Sequence, residues 1–479
     1  MKNILLLLAV LILFPACEQA ALNGIQGIPD DDGWTQDIQV SLEPEEPGEP
    51  EEPEEPEVVP VNREWTFIVY MAADNDLESA AIADLNELEA VELSDVVSIL
   101  ALVDRNPSYD MTNGNWTDTR LFEIKTDPNG LNSTIVSMCL DCPELGLSAD
   151  TETELNTADP LVLSRLIDFA KNSYPAERYA LFVWGHGTGW RSGPASETSQ
   201  ATNKAVAFDD TQGQYMALPS FGRAVAGKGL SLIGFDTCYA AVLELAYQIR
   251  DEAELFIGSE GEILSNGWDY LSLFTDFLSK PDLTVDDLGD SIQDHFAAQY
   301  AGLSKATISQ VRLSEIENLF EKFDAFAGTV ASAVTGEPAR KAVLDQVLHN
   351  VEGYHFTSFP SDLYIDILDF SQKISGISTV ITSDNSKQVA IFMAANELED
   401  ALKQAVPSSW AKNGTTQKLG VHVIPLQGIA VPASSHELAY VRGSMAIDKS
   451  AFVEDSLHWV PNAVPQRDSL LDKLFYWVY

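Results

Sequence analysis

Basic residues are scarce in this chain of 479 residues: 28 Lys and Arg stand against 73 Asp and Glu, a formal net charge of −45. Nucleic-acid binding and docking on anionic lipid through a basic patch both need clustered Lys and Arg, so the composition argues against both partners. Residues 30–64 alone hold fourteen acidic residues and a single Arg. The folded part of the chain is therefore acidic, but less extremely than the total suggests.

Long apolar runs are also missing. The apolar segment near the start, residues 4–14, is too short to cross a bilayer. With Lys2 before this run and Ala16 after it, residues 1–17 resemble an export signal. The string Leu-Phe-Pro-Ala-Cys17 resembles a bacterial lipobox, whose cysteine is lipidated and becomes the first residue of the mature protein. We expect a lipid anchor in the bacterial cell envelope, periplasmic or at the cell surface. An ordinary cleaved signal with an incidental cysteine is the alternative.

Residues 18–64 contain few apolar residues and a tract of alternating Pro and Glu. Proline at every third or fourth position favours extended polyproline backbone, and repulsion between carboxylates stretches it further. We expect this segment to be a disordered stalk that holds the folded part of the protein away from a membrane.

Cysteine and histidine are few, at four and seven residues. Cys139 and Cys142 have the spacing of a redox motif or half a zinc site, but no second pair completes a zinc site. In an exported protein this spacing favours a local disulfide. The histidines form no His-Glu-x-x-His pattern, and Ser259 lacks the Gly-x-Ser-x-Gly turn of serine hydrolases. The sequence therefore predicts no metal site and requires no cofactor.

The chain is 45% hydrophobic, with nine Trp and twenty-one Phe, which is enough for a large core. Buried strands alternate with amphipathic helices over residues 65–285, which predicts an α/β fold with a mostly parallel sheet covered by helices on both faces. The predicted strands are 65–72, 96–103, 120–125, 179–184, 230–235 and 254–258, and the predicted helices are 77–91, 160–171 and 240–250. Residues 286–479 change to longer helices and mixed segments, which predicts a C-terminal α+β supporting region.

Two of the predicted strands end close to residues that can perform nucleophilic and acid/base chemistry, His186 and Cys238. Ligands in open α/β sheets sit beyond the carboxyl ends of the strands. A thiol attacks as its thiolate, so Cys238 needs a base or a lowered pKa. His186 is the predicted base, and a helix starting after Cys238 would favour a negative sulfur. The main-chain N–H groups of Gly187 and Cys238 are a predicted oxyanion-binding pair.

Asp236 lies two residues before Cys238, so its side chain is expected on the same side of the strand. A carboxylate next to a thiolate opposes ionisation of the thiol, which suggests that Asp236 has a different task. Pairing with an Arg or Lys side chain of a substrate is the natural one. It would place the bond after that basic residue against the sulfur.

These strings resemble those of the clostripain family of cysteine peptidases, which belongs to a larger group with caspases, gingipains and legumains. The resemblance rests on two motifs, Trp-Gly-His-Gly-Thr-Gly-Trp at residues 184–190 and Phe-Asp-Thr-Cys at residues 235–238. Further matches lie at 70–78, 207–210 and 258–268, with weaker ones at 364–370 and 419–425. The family residue after the cysteine is usually aliphatic, whereas this chain has Tyr239.

The resemblance implies a caspase-like sandwich, a Cys/His dyad, cleavage after Arg or Lys through Asp236, and maturation by self-cleavage between the two strings. Of the basic residues in that interval, Lys204 lies in a polar loop directly before a predicted strand, so the Lys204–Ala205 bond is the predicted cut. Calcium dependence occurs in the family, although no loop here has calcium-ligand spacing.

The sequence thus predicts an exported cysteine endopeptidase acting on protein or peptide substrates that contain Arg or Lys. The alternative is a catalytically silent surface module of the same fold that binds basic peptides. The oligomeric state is not predicted.

Overall fold

The structure, a computed structural model, describes residues 63–423 apart from 193–203, 304–305, 335–342, 344–346, 348–350, 352, 357–358 and 413–418. The predicted signal segment with Cys17, residues 18–62 of the predicted stalk and residues 424–479 lie outside the described part. The described residues belong to one compact unit, Pro60–Tyr479. None of the helices among them is long and apolar enough to cross a membrane.

The strands and helices are numbered in chain order. The strands are β1 (Trp65–Ala73), β2 (Val97–Arg105), β3 (Thr119–Glu123), β4 (Arg178–Trp184), β5 (Gly187–Ser192), β6 (Lys204–Asp209), β7 (Gln214–Ala217), β8 (Leu232–Asp236), β9 (Leu255–Gly258), β10 (Thr307–Arg312), β11 (Gly353–Phe356), β12 (Phe359–Asp366), β13 (Ser408–Ala411) and β14 (Gly420–Val423). The helices are α1 (Glu78–Glu89), α2 (Pro160–Ser173), α3 (Leu218–Val225), α4 (Leu243–Gln248), α5 (Tyr270–Leu278), α6 (Val285–Gln299), α7 (Ile316–Val334), α8 (Ile367–Gly376), α9 (Ser378–Ile381) and α10 (Asn385–Ala405). Short 3-10 turns occupy Tyr300–Gly302 and Leu313–Glu315.

Among the described residues, eight strands form the main sheet in the order β13-β10-β9-β8-β4-β1-β2-β3. The five central strands, from β9 to β2, run parallel, and the outer strands β3, β10 and β13 pair antiparallel. The same part of the chain also forms two three-stranded sheets, β5-β6-β7 and β11-β12-β14. The predicted α/β class with a mostly parallel sheet is confirmed.

Burial along β1 shows that both faces of the sheet are covered. All nine of its residues are buried. Tyr70 packs in one core cluster with residues of α2, α3 and α7, whereas Phe67 packs in a second cluster with residues of α1, α5 and α6. Because successive side chains of a strand point to opposite faces, a strand between two helical layers must be apolar at nearly every position.

The start of α4 differs from the prediction. The sequence predicts a helix from residue 240, but α4 begins at Leu243 after an extended residue, Val242. Tyr239 adopts a left-handed conformation with φ +57°, and Val242 pairs with Gly420 in an isolated parallel bridge. A turn and a short extended segment therefore separate β8 from α4. The segment is extended because Val242 pairs with Gly420, a residue distant in sequence.

The later half of the chain is built into the same sheet. β10 pairs with β9, and β13 pairs with β10, so strands from beyond residue 285 extend the sheet by two positions. Helices α7 and α10 contribute buried residues to the core cluster that also contains Phe235 of β8. Residues of α6 contribute to the opposite cluster, so the predicted supporting region extends the main sheet and contributes to the cores on both of its faces.

The expected disulfide between Cys139 and Cys142 is contradicted, since both are free cysteines. Cys139 pairs through its backbone with Phe122, and Cys142 with Leu147. Cys139 packs against the cluster that contains Phe67, whereas Cys142 is buried in the opposite cluster. Their side chains therefore face different core clusters. Burial also raises the pKa of the Cys142 thiol to about 11.

Phe182 in the centre of β4 provides a test of this packing, because its ring contacts those of Phe67 and Trp268 at centroid distances of 5.9 and 5.5 Å. We expect Phe182→Ala to lower the free energy of unfolding by about 3–5 kcal/mol, through lost burial and a cavity. Phe392→Ala is the matched control, since Phe392 is 55% exposed. Chemical denaturation measures both. Equal losses for the two variants would contradict the assigned core.

Candidate active site

Parallel pairing of β4 with β8 brings the two predicted catalytic residues together. The register places Trp184 opposite Asp236, and His186 and Cys238 each follow two residues later. A Cβ built on Gly187 would lie 2.6 Å from the carbonyl oxygen of Cys238, so glycine permits this close approach. His186, Asp236 and Cys238 all line one open pocket of about 170 Å³.

The thiol of Cys238 is partly buried under the loop that follows β9. The main-chain N–H of Ile263 donates to Cys238 Sγ at 3.4 Å. Burial raises the pKa of Cys238, and the nearby carboxylates of Glu262 and Asp236 add to the increase. The expectation that a helix dipole lowers this pKa is wrong, because α4 begins only at Leu243. The resting sulfur is therefore a thiol that needs a base.

The imidazole of His186 has a partner that the sequence did not reveal as functional. Its Nε2 lies 2.7 Å from Oδ1 of Asp76, with His186 40% and Asp76 67% exposed. The ring also packs edge to face on Phe208, with centroids 5.9 Å apart. Within the part of the chain that the structure describes, no hydrogen bond joins His186 to Cys238. Asp76 could have been noticed, since it follows β1 at the sheet edge that carries His186.

Asp236 forms the floor of the pocket and is only 2% exposed. Its Oδ2 accepts from the Trp268 N–H at 3.0 Å and from the Tyr270 hydroxyl at 3.1 Å. Its Oδ1 is buried and has no hydrogen-bond partner among the described residues. Burial raises the pKa of this carboxyl to about 7. A buried acceptor without a donor is costly.

Gly267 and Asp84 support this floor. Gly267 has φ +53°, and a Cβ there would overlap the Asp236 carboxylate. Beneath the pocket, the indole N–H of Trp184 donates to Asp84 Oδ2 at 2.7 Å. Burial raises the pKa of Asp84 well above its ordinary value, and Asp236 adds to the increase. Sequence reasoning missed Asp84 because it lies on α1, far along the chain from Asp236.

Gly187 and Cys238 lie side by side, as a shared oxyanion site requires, and the role of their N–H groups stays a prediction. Lys204 begins β6 and pairs with Ser192 of β5, so the predicted cut lies within a strand and not in the loop before it. Ala205 is buried, and its N–H donates to Thr188 Oγ1 at 3.2 Å.

Three carboxylates that are distant in sequence meet beside the turn after β1. Oxygens of Asp74, Asp104 and Glu154 lie within 4.8 Å of one another. Calcium prefers such ligands. Both oxygens of Asp104 already accept hydrogen bonds, from Thr119 at 2.6 Å and Thr157 at 3.0 Å. Calcium therefore remains an expectation from the family resemblance.

A mostly parallel sheet with a thiol and an imidazole at neighbouring strand ends defines a caspase-like α/β protein. The model of the clostripain family matches residues 69–433. This match covers more than half of the chain, so the protein belongs to the clostripain family.

Individual relatives agree with this assignment. Clostripain of Hathewaya histolytica is 29% identical over 232 residues, which are 44% of this chain and 42% of clostripain, so the chain spans less than half of that relative. A secreted C11 cysteine protease of Bacteroides thetaiotaomicron, iotapain, has a TM-score of 0.54 at 18% identity over 82% of this chain and 99% of that chain. An inactive zymogen C11 protease of Parabacteroides distasonis has a TM-score of 0.52 at 20% identity over 76% of this chain and 93% of that chain. The two solved structures show the same fold.

The buried carboxyl of Asp236 predicts a measurable dependence of stability on pH. Its folded pKa is about 7, whereas an unfolded Asp titrates near about 3.9, so folding stability falls as the pH rises from about 4 to about 7. Asp236→Asn removes this loss, and we expect it to stabilise the substrate-free protein at pH 8 by up to about 4 kcal/mol, with no gain near pH 4.

Thermal and denaturant unfolding at the two pH values measure the effect of Asp236→Asn. Asp282→Asn is the control, because Asp282 is exposed, and a surface substitution of this kind should change stability by less than about 0.5 kcal/mol. A loss of stability at pH 8 in Asp236→Asn would show that the carboxylate is already paired in the resting protein.

Proposed function

We propose that this protein is an exported cysteine endopeptidase that cleaves peptide bonds after Arg or Lys. Cys238 is the nucleophile, His186 is the general base and acid, and Asp236 binds the basic side chain of the substrate. The observation that carries the proposal is the buried Oδ1 of Asp236, which has no partner among the described residues, in a side chain that lines the same pocket as Cys238.

The chemistry starts from a protonated thiol. Substrate binding brings the scissile carbonyl to Cys238 Sγ, which attacks the carbonyl carbon while His186 takes the thiol proton. The N–H groups of Gly187 and Cys238 stabilise the oxyanion. His186 then protonates the leaving amine, and a thioester remains. Water, deprotonated by His186, hydrolyses the thioester, releasing the carboxylate product and restoring the thiol.

Specificity follows from the chemistry of the pocket floor. A guanidinium or ammonium group reaching Asp236 supplies the donor that Oδ1 lacks, and ionic hydrogen bonds of this kind are strong. Leu77, Trp184 and Leu264 line the same pocket and offer apolar contact to the methylene stem of Arg or Lys. Because one carboxylate accepts either cation, both residues are included in the proposal.

Maturation by self-cleavage at Lys204–Ala205 is part of the proposal. A structural relative described as an inactive zymogen supports a precursor form. In the uncut chain, the backbone of Ala205 is paired with Ala217 in the β5-β6-β7 sheet. The start of β6 must therefore separate from its neighbours before the bond can enter an active site.

Export and anchoring rest on the sequence. Residues 1–17 resemble a signal ending at the lipobox cysteine Cys17, and residues 18–64 form the proposed stalk. We place the protein in the bacterial cell envelope, held by lipid on Cys17. Iotapain, one of the structural relatives, is described as secreted, which is compatible with export.

A second function, a silent module that binds basic peptides, is favoured by one feature of the resting site. The pKa of Cys238 is raised by burial, and the structure shows no hydrogen bond between the described residues His186 and Cys238. Binding to Asp236 needs neither an ionised sulfur nor a base. Turnover therefore separates the two functions.

We expect fluorogenic peptides ending in Lys to be cleaved at least about 100-fold more efficiently than the norleucine analogue, because only Lys pairs with Asp236. The ratio of the two kcat/KM values should rise as the pH increases through about 7, the pKa of Asp236. Asp236→Asn should remove the preference and leave norleucine cleavage unchanged. Cys238→Ala is the control for contaminating peptidases. Binding of the Lys peptide without hydrolysis by the wild type would favour the silent module.

Self-cleavage is tested by the fragment pattern on a denaturing gel and the sequence of the new N-terminus. We expect the wild type to yield a fragment beginning at Ala205, because Lys204 fits the proposed specificity. Lys204→Ala and Cys238→Ala should both stay intact. Lys228→Ala should still be cut, because Lys228 is not the predicted cleavage site and its Nζ is held by Asp168 Oδ1 at 2.6 Å. A nicked Cys238→Ala protein would mean that another protease makes the cut.

A further inference from the structure

The contact between Asp76 and His186 gives the two ring nitrogens different tasks. Nε2 lies 2.7 Å from Asp76 Oδ1. A carboxylate is only an acceptor, so Nε2 must carry a proton in this contact. In the neutral ring, Nδ1 is then the unprotonated nitrogen. We propose that Asp76 is a positioning residue that fixes this tautomer and orients Nδ1 to take the proton of Cys238, an inference that rests on the proposed His186/Cys238 dyad.

The turn that carries Asp76 is firmly held although Asp76 itself is 67% exposed. The side-chain amide of Asn75 donates to the carbonyls of Ala72 at 2.9 Å and Phe208 at 3.0 Å. Its Oδ1 accepts from the Leu77 N–H at 3.1 Å. Asn75 is 2% exposed. Its hydrogen bonds link the turn after β1 to the end of β6. Asp76 is therefore presented from a fixed backbone.

Phe208 contributes to the same arrangement from another direction. Its carbonyl binds Asn75, while its ring contacts the imidazole at an interplanar angle of 81°. The imidazole thus has Asp76 on Nε2 and an aromatic ring beside it, which restricts its rotation. A base held in this way spends less conformational entropy in reaching the transition state.

The proton balance is simple. The thiol proton moves from Cys238 Sγ to Nδ1, and the resulting imidazolium carries a proton on each nitrogen. The Asp76 carboxylate balances this positive charge and keeps no proton. The same Nδ1 proton then passes to the leaving amine, which returns the ring to its starting tautomer. Asp76 touches neither substrate nor sulfur in this scheme and acts only through His186.

The opposite role makes a different prediction. Asp76 could instead restrain the ring away from Cys238, in which case its removal would increase activity. For a positioning role, we expect Asp76→Ala to reduce kcat by about 10- to 100-fold, because general-base catalysis by the imidazole is impaired. KM and the melting temperature should change little. Asp76→Glu should recover part of kcat, because it restores a carboxylate.

Chemical rescue with formate distinguishes positioning from a structural effect. Asp76 is exposed, so formate can enter the space vacated in Asp76→Ala, and we expect saturable recovery of kcat in that variant alone. Asp210→Ala is the matched control, since Asp210 is an exposed acid on a nearby turn that binds Tyr109. Wild type, Asp210→Ala and His186→Ala should show no rescue.

The outcomes separate this inference from the proposed function. If His186→Ala and Cys238→Ala abolish turnover while Asp76→Ala keeps full kcat, the dyad stands and the role of Asp76 is refuted. A gain of activity in Asp76→Ala also refutes the positioning role, and it indicates instead that Asp76 restrains the His186 ring away from Cys238. If His186→Ala remains active, both the proposed His186/Cys238 dyad and the positioning role of Asp76 are refuted.

Discussion

The register between β4 and β8 is the constraint on which the rest of this structure depends. Because Trp184 pairs with Asp236 in parallel strands, the chain must leave both strands at the same edge, with His186 and Cys238 two residues beyond. The close approach of Gly187 to the Cys238 carbonyl is possible only without a side chain. A slip of one residue would turn the Asp236 side chain to the opposite face of the sheet and remove the floor of the pocket.

Burial shapes the chemistry at this edge in two ways that act together. It raises the pKa of the Cys238 thiol, and it raises the pKa of Asp236 to about 7. Both groups are thus held in environments that disfavour their charged forms until something compensates. In the proposed function, a bound cation would compensate at Asp236, and proton transfer to His186 would compensate at the sulfur. Recognition of the side chain and activation of the nucleophile are in this way linked through one small, poorly solvated space.

The parts of the fold with strong local signals could be predicted from sequence. Runs such as Trp65–Ala73 are buried on both faces, so their composition alone predicts central strands. The start of α4 and the environment of Cys139 could not, because each depends on backbone pairing with a distant residue, Gly420 for Val242 and Phe122 for Cys139. The position of Asp76 after β1 could be predicted, but its contact with His186, which spans 110 residues, could not.

The position of Lys204 between β4 and β8 has a consequence if the proposed cut is made. Strands β3, β2, β1 and β4 form one contiguous half of the main sheet, and β8, β9, β10 and β13 form the other. A chain severed after Lys204 would divide along that seam, with the imidazole on one piece and the thiol on the other. Such a molecule would consist of two chains that share both core clusters. Once pulled apart, they would have to find each other again, which would make reassembly concentration-dependent.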